Sequence, residues 1–203
     1  YERRFLNYCN NYHSLEQLLR PDTPRKFKPI LCNRDDFVGF NFVEELAHKY
    51  YDMIGLGSRP AWCLCKILDE RLAVKILFLE MGQKESGAST FGNFGPAILI
   101  NANDSPWRRN YDLAHELFHL VTWEIFQPKE LYSGGEGKSK VEKFADAFAS
   151  VLLLPVQEVR EEFENRKKNN KISYFDCIEI AREFGVSIDA LLWRLVNLNL
   201  IKR

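Results

Sequence analysis

The most constraining feature of this chain is the motif His115-Glu116-Leu117-Phe118-His119. An H-E-x-x-H pattern can bind metal only on a helix, where positions i and i+4 share one face and both imidazoles reach one tetrahedral ion. The preceding residues predict that helix, because Asp104 or Ser105 can cap it and Pro106 suits its first turn. Taken alone, the motif leaves open a second interpretation, namely two histidines of the core or surface.

Three carboxylates extend the motif into a candidate site. Glu116 follows the first histidine, where a carboxylate can take a proton from a zinc-bound water. A catalytic zinc needs a third protein ligand, and Glu142, 23 residues after His119, is the best candidate. Asp146 lies four residues further on the same predicted helix face, where it can accept the ring N–H of a liganding histidine. By themselves, Glu142 and Asp146 would be ordinary acids on a helix surface.

Four segments together resemble the ImmA/IrrE family of cytoplasmic zinc metallopeptidases: 97–101, 109–119, 142–149 and 152–155. The resemblance implies that His115, His119 and Glu142 bind zinc and that Glu116 is the catalytic base. The Glu-x-x-x-Asp pairing is also similar to the gluzincin pattern, which supports the role of Asp146 beside a ligand. One departure is Phe118, where many members have Gly, and a large ring there is expected to affect helix packing or narrow the cleft.

This resemblance implies a cytoplasmic zinc-dependent endopeptidase that cuts a helix-turn-helix transcriptional repressor and so derepresses stress or mobile-element genes. The repressor would be a separate protein or an N-terminal DNA-binding domain absent from this chain. The competing hypothesis is a non-enzymatic zinc-containing regulator that binds DNA or protein through its C-terminal helices. The residue that stabilises the oxyanion stays open, since the spacing does not choose among four candidates: His48, Arg108, Tyr111 and Tyr132.

Charge and composition narrow the class of partner. Lys and Arg total 28, as do Asp and Glu, so the chain has no overall positive field to attract nucleic acid. The segment 180–192 has a helix-turn-helix pattern, but its second helix offers only Arg194 against Asp189, which favours a packing subdomain over a DNA reader. No apolar run is long enough to span a membrane. Five cysteines, an odd number, suit a reducing cytoplasm.

The pattern of apolar residues predicts an α+β fold. A small, mainly antiparallel sheet of strands 73–79, 89–94 and 97–101 is expected to pack on the H-E-x-x-H helix and on the helix of Glu142. Another helix is expected over 60–70. Strand 97–101, just before the H-E-x-x-H helix, either aligns an extended substrate by β-addition or is a plain member of the sheet. We expect three parts: 1–38, an N-terminal helix and Pro-rich basic arm; 39–155, the metallopeptidase domain; and 156–203, a helical, helix-turn-helix-like subdomain.

Overall fold

The structure is a computed structural model that describes residues 1–19, 27, 29–30, 32–82, 85–126, 139–169 and 171–202. Its strands are β1 (Lys75–Leu79), β2 (Gly87–Gly92) and β3 (Gly95–Asn101). Its α-helices, within these residues, are α1 (Glu2–Leu19), α2 (Phe40–Ile54), α3 (Leu64–Lys66), α4 (Pro106–Val121), α5 (Lys140–Leu153), α6 (Val156–Arg166), α7 (Tyr174–Phe184) and α8 (Ile188–Asn197). Most of the Pro-rich basic arm, at 20–26, 28 and 31, lies outside the described residues, as does Tyr132.

The three strands form one sheet in the order β1-β3-β2, which confirms the α+β class. β2 and β3 pair antiparallel as a hairpin, whereas β1 pairs with β3 in parallel, so the sheet is mixed. All seven residues of β3 are buried. The chain passes from β1 to the opposite edge of the sheet, forms β2 there and returns through the hairpin, so this apolar strand enters the central position parallel to β1.

The central position of β3 corrects the expectation that strand 97–101 aligns a substrate by β-addition. One edge of β3 is hydrogen-bonded to β1 and the other to β2, so no edge remains for a peptide. Among the described strands, β1 and β2 lie at the two edges of the sheet, and β2 is the edge strand that packs against α4. Pairing order depends on contacts between separate segments, which the alternation of apolar residues within one strand does not encode.

The two faces of the sheet are covered by different helices. Ile98 of β3 belongs to the main core, which α4 shares. On the other face, Leu99 packs in a smaller cluster with Phe5 of α1. The buried Lys75 of β1 forms an ion pair with Glu16 of α1, with 2.7 Å between Nζ and Oε2. The N-terminal helix is therefore part of the folded unit and closes the sheet on the side away from α4.

The segment predicted as one helix over 60–70 is instead three short pieces. A 3-10 turn covers Pro60–Trp62, α3 follows, and a π-helix covers Ile67–Arg71. The break lies at Cys63, whose φ of −120° is not helical and whose thiol donates to the carbonyl oxygen of Leu56 at 2.9 Å. This contact from outside the segment overrides the local helical pattern.

The C-terminal helices dock onto the rest of the molecule through their turn. Gly185 ends α7 in the left-handed region at φ +66°, and its carbonyl oxygen accepts a hydrogen bond from the Asn110 side chain of α4 at 2.9 Å. Trp62 donates its indole N–H to the carbonyl oxygen of Glu183 at 2.8 Å. Side chains of α7 and α8, including Phe184 and Leu195, belong to the main core. None of the described helices is long and apolar enough to cross a membrane.

Candidate metal centre

Three side chains from two helices meet at one point. His115 and His119 come from α4, one helical turn apart, and Glu142 comes from the first turn of α5. The two histidine Nε2 atoms are 3.3 Å apart. The Glu142 carboxylate lies 3.2 Å from Nε2 of His115 and 3.3 Å from Nε2 of His119. The structure thus brings together the three residues expected to bind zinc.

This arrangement fits a tetrahedral zinc ion. Ligand atoms about 2.0–2.1 Å from such an ion lie about 3.3–3.4 Å from one another, which is close to the three separations found here. Two imidazoles and one carboxylate also form a donor set that zinc enzymes use, with a fourth position left for water or substrate. Within the part of the chain that the structure describes, the potential ligand side chains that lie close enough together to hold a metal ion are these three.

The position of Glu142 is set by the start of α5. Ser139 caps this helix, and its hydroxyl accepts the backbone N–H of Glu142 at 3.2 Å. Ala145 and Ala149 are fully buried, and their small size lets α5 approach α4 closely. A cap and two small residues therefore bring the carboxylate to the histidines, although 23 residues separate it from His119.

Asp146 orients the first histidine. Its Oδ1 lies 3.0 Å from Nδ1 of His115, so this nitrogen donates to the carboxylate and Nε2 faces the other two ligand side chains. Tyr111 donates its hydroxyl to the backbone carbonyl oxygen of Asp146 at 2.8 Å, which adds a second link between α4 and α5. Burial raises the pKa of Tyr111, which keeps the hydroxyl protonated as the donor.

Hydrogen bonds among the side chains of the cluster shift the pKa values of His115 and Glu142 in opposite directions. Burial alone would lower the pKa of His115, but its hydrogen bonds to Asp146 and Glu142 outweigh burial and raise this pKa to about 10. Burial alone would raise the pKa of Glu142, but hydrogen bonds from His115 and His119 hold it well below its usual range. Without a metal ion, protonated His115 therefore offsets the negative charge of Glu142 and Asp146. A bound metal ion would take over that role.

Glu116 lies beside the cluster, against the outer strand. It is on α4, its residue is only 8% exposed, and its side chain rests on the backbone of Gly87, the first residue of β2. Gly87 escapes prediction because it precedes the predicted strand 89–94, whereas the observed β2 begins at it. A glycine in a strand is a signal for a close backbone approach, and Glu116 approaches Gly87 closely.

Three of the four candidates for oxyanion stabilisation lie in the described residues, and their surroundings differ. The hydroxyl of Tyr111 is held by Asp146, as described above. His48 is an exposed residue of α2. Arg108 is bound on α4, with Nε donating to Asp112 at 3.2 Å and Nη2 donating to the Ser86 hydroxyl at 2.8 Å. Burial raises the pKa of Asp112 to about 6, although Arg108 opposes the shift. These contacts do not select an oxyanion residue, and none is assigned.

The departure at Phe118 is accommodated by the core. Its ring is fully buried and lies 5.6 Å from the ring of Phe148 on α5 and 6.2 Å from those of Phe37 and Phe126, centroid to centroid. The large side chain thus fills space between helices. The potential ligand atoms of His115, His119 and Glu142 still lie within 4.8 Å of one another.

Comparisons with known proteins agree with this architecture. The family model of the M78 peptidases, described as the IrrE N-terminal-like domain, matches residues 69–196. Among solved structures, a Mycobacterium tuberculosis transcriptional regulator is similar, with a TM-score of 0.53 and 17% identity over 80% of this chain and 50% of that chain. This chain therefore spans half of the regulator's length, and at this identity the likeness concerns the fold. No curated protein sequence matches the chain significantly.

Proposed function

Because the chain belongs to the M78 peptidase family, we propose that it is a zinc-dependent endopeptidase. Zinc would be held by His115, His119 and Glu142, with Asp146 orienting His115 and Glu116 acting as the base. The observation that carries the proposal is the convergence of two imidazoles and one carboxylate at separations of 3.2–3.3 Å beside a buried glutamate. Zinc at this centre would act as a Lewis acid that activates water and polarises the scissile carbonyl.

The protein's own residues supply the proton transfers. Glu116 accepts the proton of the attacking water and passes it to the leaving amine. Its carboxylate can do both because it lies on α4, the helix that carries His115 and His119. The buried position of Glu116 limits competing contacts with bulk water. Asp146 keeps the Nδ1 proton on His115, so that Nε2 stays available as a ligand.

We place the substrate along β2 rather than β3. β2 is the outer strand of the sheet on the side of α4, and its first residue touches Glu116. An extended peptide that pairs with the edge of β2, which no described strand covers, would run past the base, and its backbone hydrogen bonds would set the register. A protein segment must be unfolded locally to bind in this way, which suits a loop or a linker as the cleavage site.

The substrate we propose is a helix-turn-helix transcriptional repressor in the cytoplasm, and cleavage would derepress stress or mobile-element genes. The family resemblance supports this choice, and a transcriptional regulator is among the proteins of similar fold. All five cysteines are free thiols, which suits a reducing compartment. The repressor would be a separate protein or a DNA-binding domain outside this chain.

A regulator without catalytic activity is the second candidate, because the similar solved structure is a transcriptional regulator. The position of Arg194 disfavours a regulator that binds DNA through its C-terminal helices. Arg194, the basic residue of the second C-terminal helix, is 2% exposed and donates Nε–H to the carbonyl oxygen of Leu154 at 3.0 Å. This side chain therefore faces the protein interior, where it cannot contact a phosphate or a base edge.

The two candidates differ in the effect of Glu116→Gln. We expect this variant to bind about one zinc per chain and to lose cleavage of a quenched-fluorescent peptide library, because it keeps every ligand and lacks the base. Glu142→Ala should lose both zinc and cleavage. Glu161→Gln, the same change at an exposed position of α6, is the matched control and should keep both. Undiminished cleavage by Glu116→Gln would refute the mechanism, and a zinc-loaded wild type that cleaves nothing would favour the regulator.

A further inference from the structure

Gly87 occupies a place where a side chain would not fit. It is the first residue of β2 and pairs with Ile100 of β3. A Cβ atom built on Gly87 would lie 2.9 Å from Cγ and 3.0 Å from Oε1 of Glu116. It would also lie 3.2 Å from the backbone carbonyl oxygen of Leu99. The first two distances are at or below the limit that real Cβ atoms reach, and the third is tighter than most.

The neighbours of Gly87 have little room to yield. The carbonyl oxygen of Leu99 belongs to the fully buried central strand, whose pairing on both sides holds it in place. Cγ of Glu116 is in the middle of its side chain, on a helix that is packed against α5. A side chain at position 87 would therefore displace the Glu116 side chain or push the start of β2 away from α4.

We propose that Gly87 is a positioning residue for Glu116. The lack of a side chain at position 87 sets where the Glu116 carboxylate, the proposed base, lies. The inference rests on the proposed function and adds to it a requirement on the strand. The three atoms nearest to a Cβ at position 87 belong to Glu116 and Leu99. The proposed metal ligands His115 and His119 instead face Glu142 on α5. The effect of a side chain at 87 is therefore expected on the base and not on metal binding.

The test begins with Gly87→Ala in the zinc-loaded chain. We expect about one zinc per chain, as in the wild type, and a fall in kcat of roughly 100-fold with a much smaller change in KM, because a displaced base slows the chemical step. The matched control is Gly82→Ala, where the one described atom that the new Cβ would meet is Oε2 of Glu85 at 3.6 Å, an ordinary contact. Its kcat and zinc content should equal those of the wild type.

A second measurement tests the contact without substrate. Thermal unfolding is compared for the wild type, Gly87→Ala, Glu116→Ala and the double variant. If the Cβ at 87 meets Glu116, Gly87→Ala lowers Tm clearly in the wild-type background and much less after Glu116 is truncated, because the two changes are coupled. An equal loss of Tm in both backgrounds would overturn the inference, as would a wild-type kcat in Gly87→Ala or a loss of zinc that accounts for its inactivity.

The two measurements also separate the inference from the proposed function. A zinc-loaded wild type without peptidase activity would refute the function and the catalytic role of the pair. The thermal comparison would in that case still decide whether Gly87 determines the position of the Glu116 side chain. Cleavage by the wild type together with uncoupled Tm values would leave the peptidase standing and refute the positioning role.

Discussion

At the scale of single residues, the cluster on α4 and α5 shows hydrogen bonding outweighing burial. A buried histidine would ordinarily lose its proton, yet His115 has a pKa of about 10 because Asp146 and Glu142 both accept from its ring. Hydrogen bonds from His115 and His119 lower the pKa of Glu142 and keep it ionised. The metal-free protein thus holds a proton where the proposed zinc would bind, and metal and proton compete for one nitrogen.

This competition predicts proton release when zinc binds. At pH 7.5 the ring of His115 is protonated in the metal-free chain, and its Nε2 must lose the proton to become a ligand, so about one proton per zinc is released from it. Below pH 10, zinc affinity should therefore fall about tenfold for each unit by which pH decreases. Calorimetric titration in buffers of different ionisation enthalpy measures the release. Binding without proton exchange at pH 7.5 would contradict the prediction.

At the scale of secondary-structure elements, helix ends and close approaches position the site. α5 presents Glu142 because Ser139 caps it, and α7 ends at Gly185 against α4. Gly185 has φ +66°, and a Cβ there would lie 3.1 Å from Cβ of Ala61 and 3.1 Å from Nδ2 of Asn110. The turn between the C-terminal helices therefore needs glycine both for its backbone conformation and for its contact with the rest of the fold.

Gly185→Ala should lower the free energy of unfolding more than Gly55→Ala does. Gly55 also ends a helix in the left-handed region, at φ +67°, but its new Cβ would meet only Nη1 of Arg71, at 3.9 Å. The left-handed backbone costs about 1–2 kcal/mol at each position, and we expect the close contacts to add about 1–3 kcal/mol at Gly185. Denaturant unfolding of both variants measures the difference. Equal losses would show that the turn is not tightly packed.

At the scale of the whole molecule, one core joins the candidate metal centre to the C-terminal helices. Ala114 of α4, Phe148 of α5 and Phe184 of α7 belong to the same buried cluster. Arg59 reinforces the connection, because its guanidinium contacts Glu162 of α6 at 2.6 Å and stacks 4.4 Å from the ring centre of Phe184. Such a shared core is typical of a cooperative folding unit.

We therefore predict that 156–203 does not unfold separately from 39–155. Hydrogen exchange should give amides in the middle of α5 and of α8 opening free energies that agree within about 1 kcal/mol. Added zinc should raise both together, since it binds only the folded state. Amides in α8 that exchange far faster than those in α5, and that do not respond to zinc, would instead identify an independent C-terminal domain.

The sequence by itself determined the features that depend on local periodicity. The H-E-x-x-H spacing places two imidazoles on one helical face, and a cap at Ser105 with Pro106 in the first turn predicted the start of α4 where it is observed. A helix repeats every 3.6 residues whatever surrounds it, so spacing along the chain is enough for such inferences. Glu142 and Asp146 become candidates only beside this motif, because two acids on a distant helix have no local signature, and the family resemblance then supports the choice.

Only the tertiary structure decided which segments meet. It placed β3 in the centre of the sheet and β2 at an edge, whereas the sequence left 97–101 open as either a substrate-aligning strand or a plain member of the sheet. It turned Arg194 into the interior and brought Gly87 against Glu116. The physical reason is that strand order, burial and close approach depend on residues far apart in the chain, and their packing energies overrule local preference wherever the two conflict.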